Sequence, residues 1–145
     1  MEIILKEIAY GSAEYEMTRA LRNRIMRAPI GLSIYDQDYT FEVNSRIVGA
    51  FDGETLLGCS IVGKLNGECC LDFLCIDERV QKAGIGSMLL NDVENWVRAQ
   101  GIPLLILEAR VTARKFYEKH GYEAYGGIYL MEKSPVDHIM MRKSF

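Results

Sequence analysis

The stretch that most restricts this chain runs from Leu71 to Leu90, LDFLCIDERVQKAGIGSMLL. It reads as a buried strand, a short charged turn, a loop carrying Gly84 and Gly86, and the opening of a helix. A helix entered from a strand in this way predicts a crossover to a second, parallel strand. The loop also leaves backbone N–H groups free at the helix N-terminus, where the helix dipole favours negative charge. That is an anion site, and the usual anion in such a place is a phosphate.

The helix extends from Ile85 to Gln100, with Ile85, Leu89, Val93, Trp96 and Val97 along one face. Gly101 and Pro103 close it, and Leu104 to Leu107 follows as a short apolar strand of the kind buried on both faces. Upstream lie strands at Arg46 to Phe51, Thr55 to Leu65 and Cys69 to Ile76, separated by Asp52-Gly53 and Asn66-Gly67. Such pairs mark hairpins, because both central turn residues need positive φ. Before them come a strand over Glu2 to Ala9 and a helix from an Ser12 N-cap to about Ala28, with Met17, Leu21 and Ile25 as its buried stripe. Pro29 and Gly31 stop that helix, and the segment from Pro29 to Thr40 reads as an irregular connection and a candidate substrate-side lid. After the crossover come a helix over Thr112 to His120 and two strands, Tyr122 to Met131 and Val136 to Arg142, turning around Lys133-Ser134-Pro135. The order β-α-β-β-β-α-β-α-β-β predicts an α/β (α+β) fold. Its mixed sheet is mostly antiparallel with one central parallel pair and helices on both faces, and it is not a doubly wound nucleotide fold.

At 145 residues the chain reads as one domain, 1–145. No apolar run reaches the length of a membrane span and the opening residues show no signal-peptide pattern, so a cytoplasmic protein without a membrane partner is expected. Cys59, Cys69, Cys70 and Cys75 have no metal-like spacing and read as reduced core thiols, with no metal expected. The net charge of -3 and the shortness of the basic clusters argue against nucleic acid as a partner. The last strand is expected to be exposed and so able to pair two chains as a homodimer.

Three readings of the loop Gln81-Lys82-Ala83-Gly84-Ile85-Gly86 compete. A P-loop is excluded, since no Gly-Lys-Ser/Thr follows. A dinucleotide site has in its favour the Gly84-x-Gly86 spacing after a strand and Glu108 about twenty residues on; against it stand Leu89 at the third glycine position and a single βαβ unit. The third reading is a family resemblance. Gln81-x-x-Gly84-x-Gly86, after a strand ending Leu74-Cys75-Ile76-Asp77, resembles the acyl-CoA motif Q/R-x-x-G-x-G/A of the GNAT superfamily of N-acetyltransferases. Ala113 to Tyr122 resembles the A-x-x-F-Y-E-K-x-G-F segment of that family, and the likeness covers about Ile47 to Met141. The tail from Gly127 to Met141 is similar to an ElaA-like branch, with a histidine and methionines near the end. One departure is Arg110, where the family often has Asn.

The resemblance implies acetyl-CoA as donor. Its pyrophosphate would meet the backbone N–H groups of Gln81, Ala83, Gly84, Ile85, Gly86 and Ser87, with Lys82 in the same loop. It further implies that the Ile76 strand is splayed from its parallel neighbour. The pantetheine would then pair with Cys75 and Ile76, Leu74 would supply the oxyanion N–H, and Arg110, Ala113, Phe116 and Tyr117 would complete the cofactor wall. Tyr117 matches the tyrosine that protonates the leaving thiolate in many members; a packed tyrosine is the alternative. The base is open between Asp72, Glu108, His138 and water. Asp72 is unusual in mid-strand, where it shares a face with Leu74 and Ile76 by simple alternation; its alternative is a structural pairing with Arg22 or Arg24. Glu42 and Glu132 are candidates for shaping the acceptor pocket, and a covalent intermediate on Cys75 lacks a positioned histidine. The expected function is direct acetyl transfer to a primary amine of a small molecule or peptide in a ternary complex. The alternative is a non-catalytic CoA-binding sensor or interaction module.

Overall fold

The computed structural model describes residues 1–145, apart from the side chain of residue 65. The elements are β1 (Ile4–Glu7), α1 (Ala13–Met26), β2 (Arg46–Asp52), β3 (Thr55–Leu65), β4 (Glu68–Ile76), α2 (Ile85–Ala99), β5 (Leu104–Arg110), α3 (Arg114–Lys119), β6 (Glu123–Leu130) and β7 (Asp137–Ser144). Ser12 caps α1 by accepting from the Tyr15 N–H at 3.1 Å. The β3–β4 turn has positive φ at both Asn66 and Gly67, as its dipeptide predicts. The β2–β3 turn is set one residue later than expected. Asp52 pairs with Thr55, and only Gly53 takes positive φ.

The strands form one sheet in the order β1-β2-β3-β4-β5-β7-β6. Only β4 and β5 are parallel. The last strand is not the exposed edge that the sequence suggests, because β7 inserts between β5 and β6 and leaves β1 and β6 at the edges. That insertion also lengthens β5 past Leu107. Glu108, Ala109 and Arg110 pair with Met140, Ile139 and His138, so the ladder carries charged residues beyond the apolar run that marks the strand in the sequence.

Helix α1 covers one face of the sheet, packing Leu21 against Cys59, Ile61, Phe73 and Cys75. Helices α2 and α3 cover the other, where Leu90, Val93, Val97 and Tyr117 meet Leu71, Leu105, Leu107 and Met141. Leu89, Leu90, Val93 and Val97 have no exposed area, and burying each contributes about 1.5–3 kcal/mol. Among the described residues no helix is long and apolar enough to cross a membrane.

A bulge in β4 has consequences for the site. Ile61 pairs with Phe73 and Val62 with Leu71, which leaves Asp72 as the extra residue. Alternation slips there: Cys69 and Leu71 face α2, whereas Phe73 and Cys75 face α1. Asp72 therefore does not share a face with Leu74 and Ile76, which pack toward α2. It joins Cys70, its side-chain hydrogen-bond partner, on the α1 side. Gly63 makes room for it, since a Cβ at Gly63 would lie 3.1 Å from Asp72 Oδ2.

Candidate active site

The parallel pairing of β4 with β5 stops after Cys69–Leu105, Cys70–Ile106 and Leu71–Leu107. Beyond it the strands part, and a cleft of about 900 Å³ passes through the sheet at the gap. Backbone polar groups alternate sides along a strand. Asp77 gives its N–H to Leu57 O at 2.8 Å, on the β3 side, so Ile76 and Leu74 aim theirs into the gap. Gln81 Nε2 donates to Ile76 O from there, at 3.3 Å. Cys75 is turned the other way, against the expectation for it. Its backbone partner is Cys59 in β3, and its thiol lies 4.0 Å from Leu21 O. Burial pushes that thiol well above the usual range, so it stays protonated and has no activating histidine among the described residues.

Past Ile76, Asp77 pins the loop. Its carboxylate accepts from Arg79 N and Nε, both at 2.9 Å, and ion-pairs with Arg79 and Arg24. The hydrogen bond from Arg79 holds it well below the usual carboxylate range. The Ala83 N–H is spent within the turn on Val80 O at 3.0 Å, which removes it from the expected anion donors. Those of Gln81, Gly84, Ile85, Gly86 and Ser87 have no protein acceptor among the described residues. Gly84 has φ +82, a conformation other residues adopt only with strain. Gly86 is glycine for a different reason: a Cβ there would meet the Phe116 ring at 3.3 Å. The Ile85 side chain is fully buried in the core, so only its N–H faces the loop. Ser87 Oγ and His120 Nε2 are 3.0 Å apart, and His120 Nδ1 donates to Phe116 O at 2.8 Å, tying α2 to α3.

Gln81, Lys82, Gly84, Gly86 and Ser87 line one end of the cleft, and Ala113, Phe116 and Tyr117 form its α3 wall. The Tyr117 hydroxyl makes no hydrogen bond among the described residues, and burial raises its pKa. It therefore holds a proton with no protein group competing for it.

On the α1 side the cleft is walled by side chains from distant segments. Asp72, Glu108, His138 and Arg110 meet there with Arg27, Tyr39 and Lys133, none of the last three marked by a local motif. Asp72 is not an arginine's partner, because Arg22 pairs with Glu42 at 2.8 Å and Arg24 with Asp77. Burial, reinforced by the charges of Glu42 and Glu108, pushes Asp72 up to about 6. Glu108 accepts from the Tyr129 hydroxyl at 2.6 Å. His138 gives Nδ1–H to Val136 O at 2.6 Å, which leaves Nε2 as the ring nitrogen without a protein partner among the described residues. Arg110 does not turn toward the glycine loop. Its Nη2 donates to Met26 O at 2.6 Å and Ser134 Oγ at 3.0 Å.

Glu42 lies beneath the pocket rather than on its wall. It is fully buried and receives Arg22 and the Tyr15 hydroxyl, the latter at 2.6 Å. Glu132 is exposed and lies off the cleft. The connection after α1 is no loose lid. Arg27 holds Gln37 and Tyr39, and Gln37 donates to Lys133 O at 2.7 Å, strapping it to the terminal hairpin. Among the described residues no group of His, Cys, Asp and Glu side chains is arranged to hold a metal.

Residues 43–124, more than half of the chain, match the family model of the acetyltransferase (GNAT) domain. The chain belongs to the GNAT acetyltransferase family. Members of the family are acyltransferases that use acetyl-CoA. The uncharacterised N-acetyltransferase YjcF of Bacillus subtilis is 29% identical over 106 residues, 70% of this chain and 72% of that protein. A second Bacillus subtilis acetyltransferase is 32% identical over 73 residues, and the match spans about half of each, 50% of this chain and 48% of that protein. Among solved structures, Escherichia coli ElaA superposes with a TM-score of 0.80 at 14% identity, covering 98% of this chain and 99% of its own. The PaiA N-acetyltransferase of Thermoplasma acidophilum, in complex with coenzyme A, has a TM-score of 0.76 at 19% identity, with 100% of both chains covered. At those identities the structural likeness concerns the GNAT fold. The residues fit its cofactor: free N–H groups at an αL glycine and a helix N-terminus continue into a strand gap with unpaired backbone groups.

Proposed function

We propose that this GNAT domain transfers an acetyl group from acetyl-CoA directly to a primary amine, with donor and acceptor bound together. The observation that carries this reading is the continuity of the cleft. It joins the free N–H groups of the glycine loop, on one side of the sheet, to Asp72, Glu108 and His138 on the other. Both reactants share one passage, and the two cysteines that line it, Cys70 and Cys75, are held as thiols by burial.

Gln81, Gly84, Ile85, Gly86 and Ser87 would hold the pyrophosphate through their N–H groups, and Leu74 and Ile76 the pantetheine arm. Acetyl-CoA would supply a thioester carbonyl open to attack by an amine. The Leu74 N–H is then a donor for the carbonyl oxygen as charge gathers on it. Asp72, free of any arginine, takes the proton from the acceptor ammonium, with His138 Nε2 as the second acceptor facing the cleft. Tyr117 gives its proton to the departing sulfur.

The first test is calorimetric titration with acetyl-CoA, with NAD and ATP as controls, followed by turnover on a panel of primary amines. Binding of acetyl-CoA alone together with turnover supports the reading. Preference for NAD overturns it, and binding without turnover of any amine above the spontaneous rate replaces it with a CoA-binding module.

A further inference from the structure

Arg27 and Arg110 stand apart from the other arginines. Every other arginine in the chain has a carboxylate within ion-pair distance. These two have neutral partners only: Met26 O, Gln37 Oε1 and the Tyr39 hydroxyl for Arg27, and Met26 O and Ser134 Oγ for Arg110. Neither forms an ion pair among the described residues, yet Arg27 is only 1% exposed and both line the cleft. Arg110 Nε is buried with no acceptor among the described residues. Burial and the charge of Arg27 both lower the hold of Arg110 on its proton, so the two cations repel across a short distance. Buried charge without a counter-ion is costly, and a protein keeps it where a ligand brings the opposite charge.

We infer that Arg27 and Arg110 form a receptor for a carboxylate, and that the amine acceptor carries it, so the substrate class is an amino-acid-like molecule with both an ammonium and a carboxylate. The inference rests on the acyl-transfer reading of the same cleft and names its second substrate. Arg110 Nη1 has no protein acceptor among the described residues and, unlike Nε, is not sealed from the cleft, so it is the donor that a carboxylate can reach, while Arg27, each of whose nitrogens already has a partner, contributes its charge. The opposite charges lie at suitable places. Glu108 and Arg110 are two residues apart on one face of β5, about 7 Å along the strand, with Asp72 across the gap. A plain cationic amine would satisfy the carboxylates and leave both arginines uncompensated. The glycine loop is not the counter-ion's place, since both guanidinium groups are held by Met26 on the α1 side.

The test compares matched pairs: lysine with cadaverine, tyrosine with tyramine, and phenylalanine with phenethylamine. The carboxylated member of at least one pair is expected to have kcat/KM higher by at least about tenfold, and Arg110→Gln to shrink that ratio toward one. Equal rates within every pair overturn the inference and leave the acyltransfer reading standing. So does an Arg110→Gln loss that is equal for both members, or one that appears only when succinyl-CoA replaces acetyl-CoA, which places the carboxylate on the acyl group. The same ligands are titrated calorimetrically into wild-type protein saturated with CoA, which needs no turnover and no variant. Tighter binding of carboxylated members supports the receptor even if no amine is acetylated, and absence of any difference refutes it.

Discussion

The two ends of the cleft are built from different material. On the side of α2 and α3, the proposed recognition rests on backbone: the N–H groups of Gly84, Ile85, Gly86 and Ser87, and those of Leu74 and Ile76 beside the gap. On the side of α1 it rests on charged side chains: that of Arg27 at the end of α1, and those from β4, β5 and the β6–β7 hairpin. Backbone donors suit a ligand common to a whole family, because they depend on chain conformation and tolerate change in neighbouring side chains. Side chains suit a ligand particular to one protein, because each can be exchanged without disturbing the fold. The proposed function therefore divides a shared donor site from an individual acceptor site at the plane of the sheet.

This division is broken or sharpened by substitutions on each side. The largest effect is expected beneath the acceptor end. Glu42→Gln leaves the fully buried Arg22 without its counter-charge and should destabilise the protein by about 3–5 kcal/mol, read from urea unfolding. An unchanged midpoint would show that the acceptor wall does not depend on this ion pair. Next comes the donor end. Gly84→Val forces a β-branched residue into φ +82 and should weaken acetyl-CoA binding by at least about tenfold in calorimetry, leaving the unfolding midpoint only slightly lower. Equal affinity would mean that the loop's N–H groups do not hold the cofactor.

Tyr117→Phe removes a hydroxyl with no other partner. It should lower kcat by about tenfold or more with the acetyl-CoA affinity intact. A parallel loss of affinity would reduce Tyr117 to a packing residue. A further effect concerns Asp72, whose carboxyl is pushed up to about 6 in the folded protein from its ordinary 3.8. The folded state then holds its proton more tightly than the unfolded chain, so the stabilisation is complete below about pH 4 and is lost as pH rises through about 6. Asp72→Asn should therefore raise the melting temperature at pH 8 more than at pH 4, and should remove a rising limb near pH 6 from the kcat/KM profile. Melting curves that shift equally at both pH values would show that Asp72 is not held out of water by the cleft.

The donor end could be read from the chain because its determinants are local. Gly84 and Gly86 lie two residues apart, the helix they open is marked by a 3.6-residue stripe, and Tyr117 follows within the next amphipathic segment. Even there, local reading failed where neighbours compete for the same groups. The Ala83 N–H goes to Val80, and the backbone of Cys75 goes to β3. The acceptor end offered no such signal. Arg110 stood out only as a departure from the family's Asn, and Arg27, 83 positions away, has nothing in its neighbourhood that distinguishes it from the paired arginines Arg22 and Arg24. Asp72 drew notice as an aspartate in a strand, but the face it occupies depends on a bulge created by pairing with β3.

By itself, then, the sequence determined the order of helices and strands, the turn at Asn66-Gly67, the Ser12 cap and the anion loop, since each follows from the preferences of adjacent residues for particular φ, ψ and periodicity. Only the tertiary structure decided which strand forms the edge, where β4 and β5 part, which face Asp72 takes, and which arginines are left without a carboxylate. Those outcomes depend on which distant groups meet, and charges and hydrogen-bond donors are satisfied or stranded only once the chain has closed on itself.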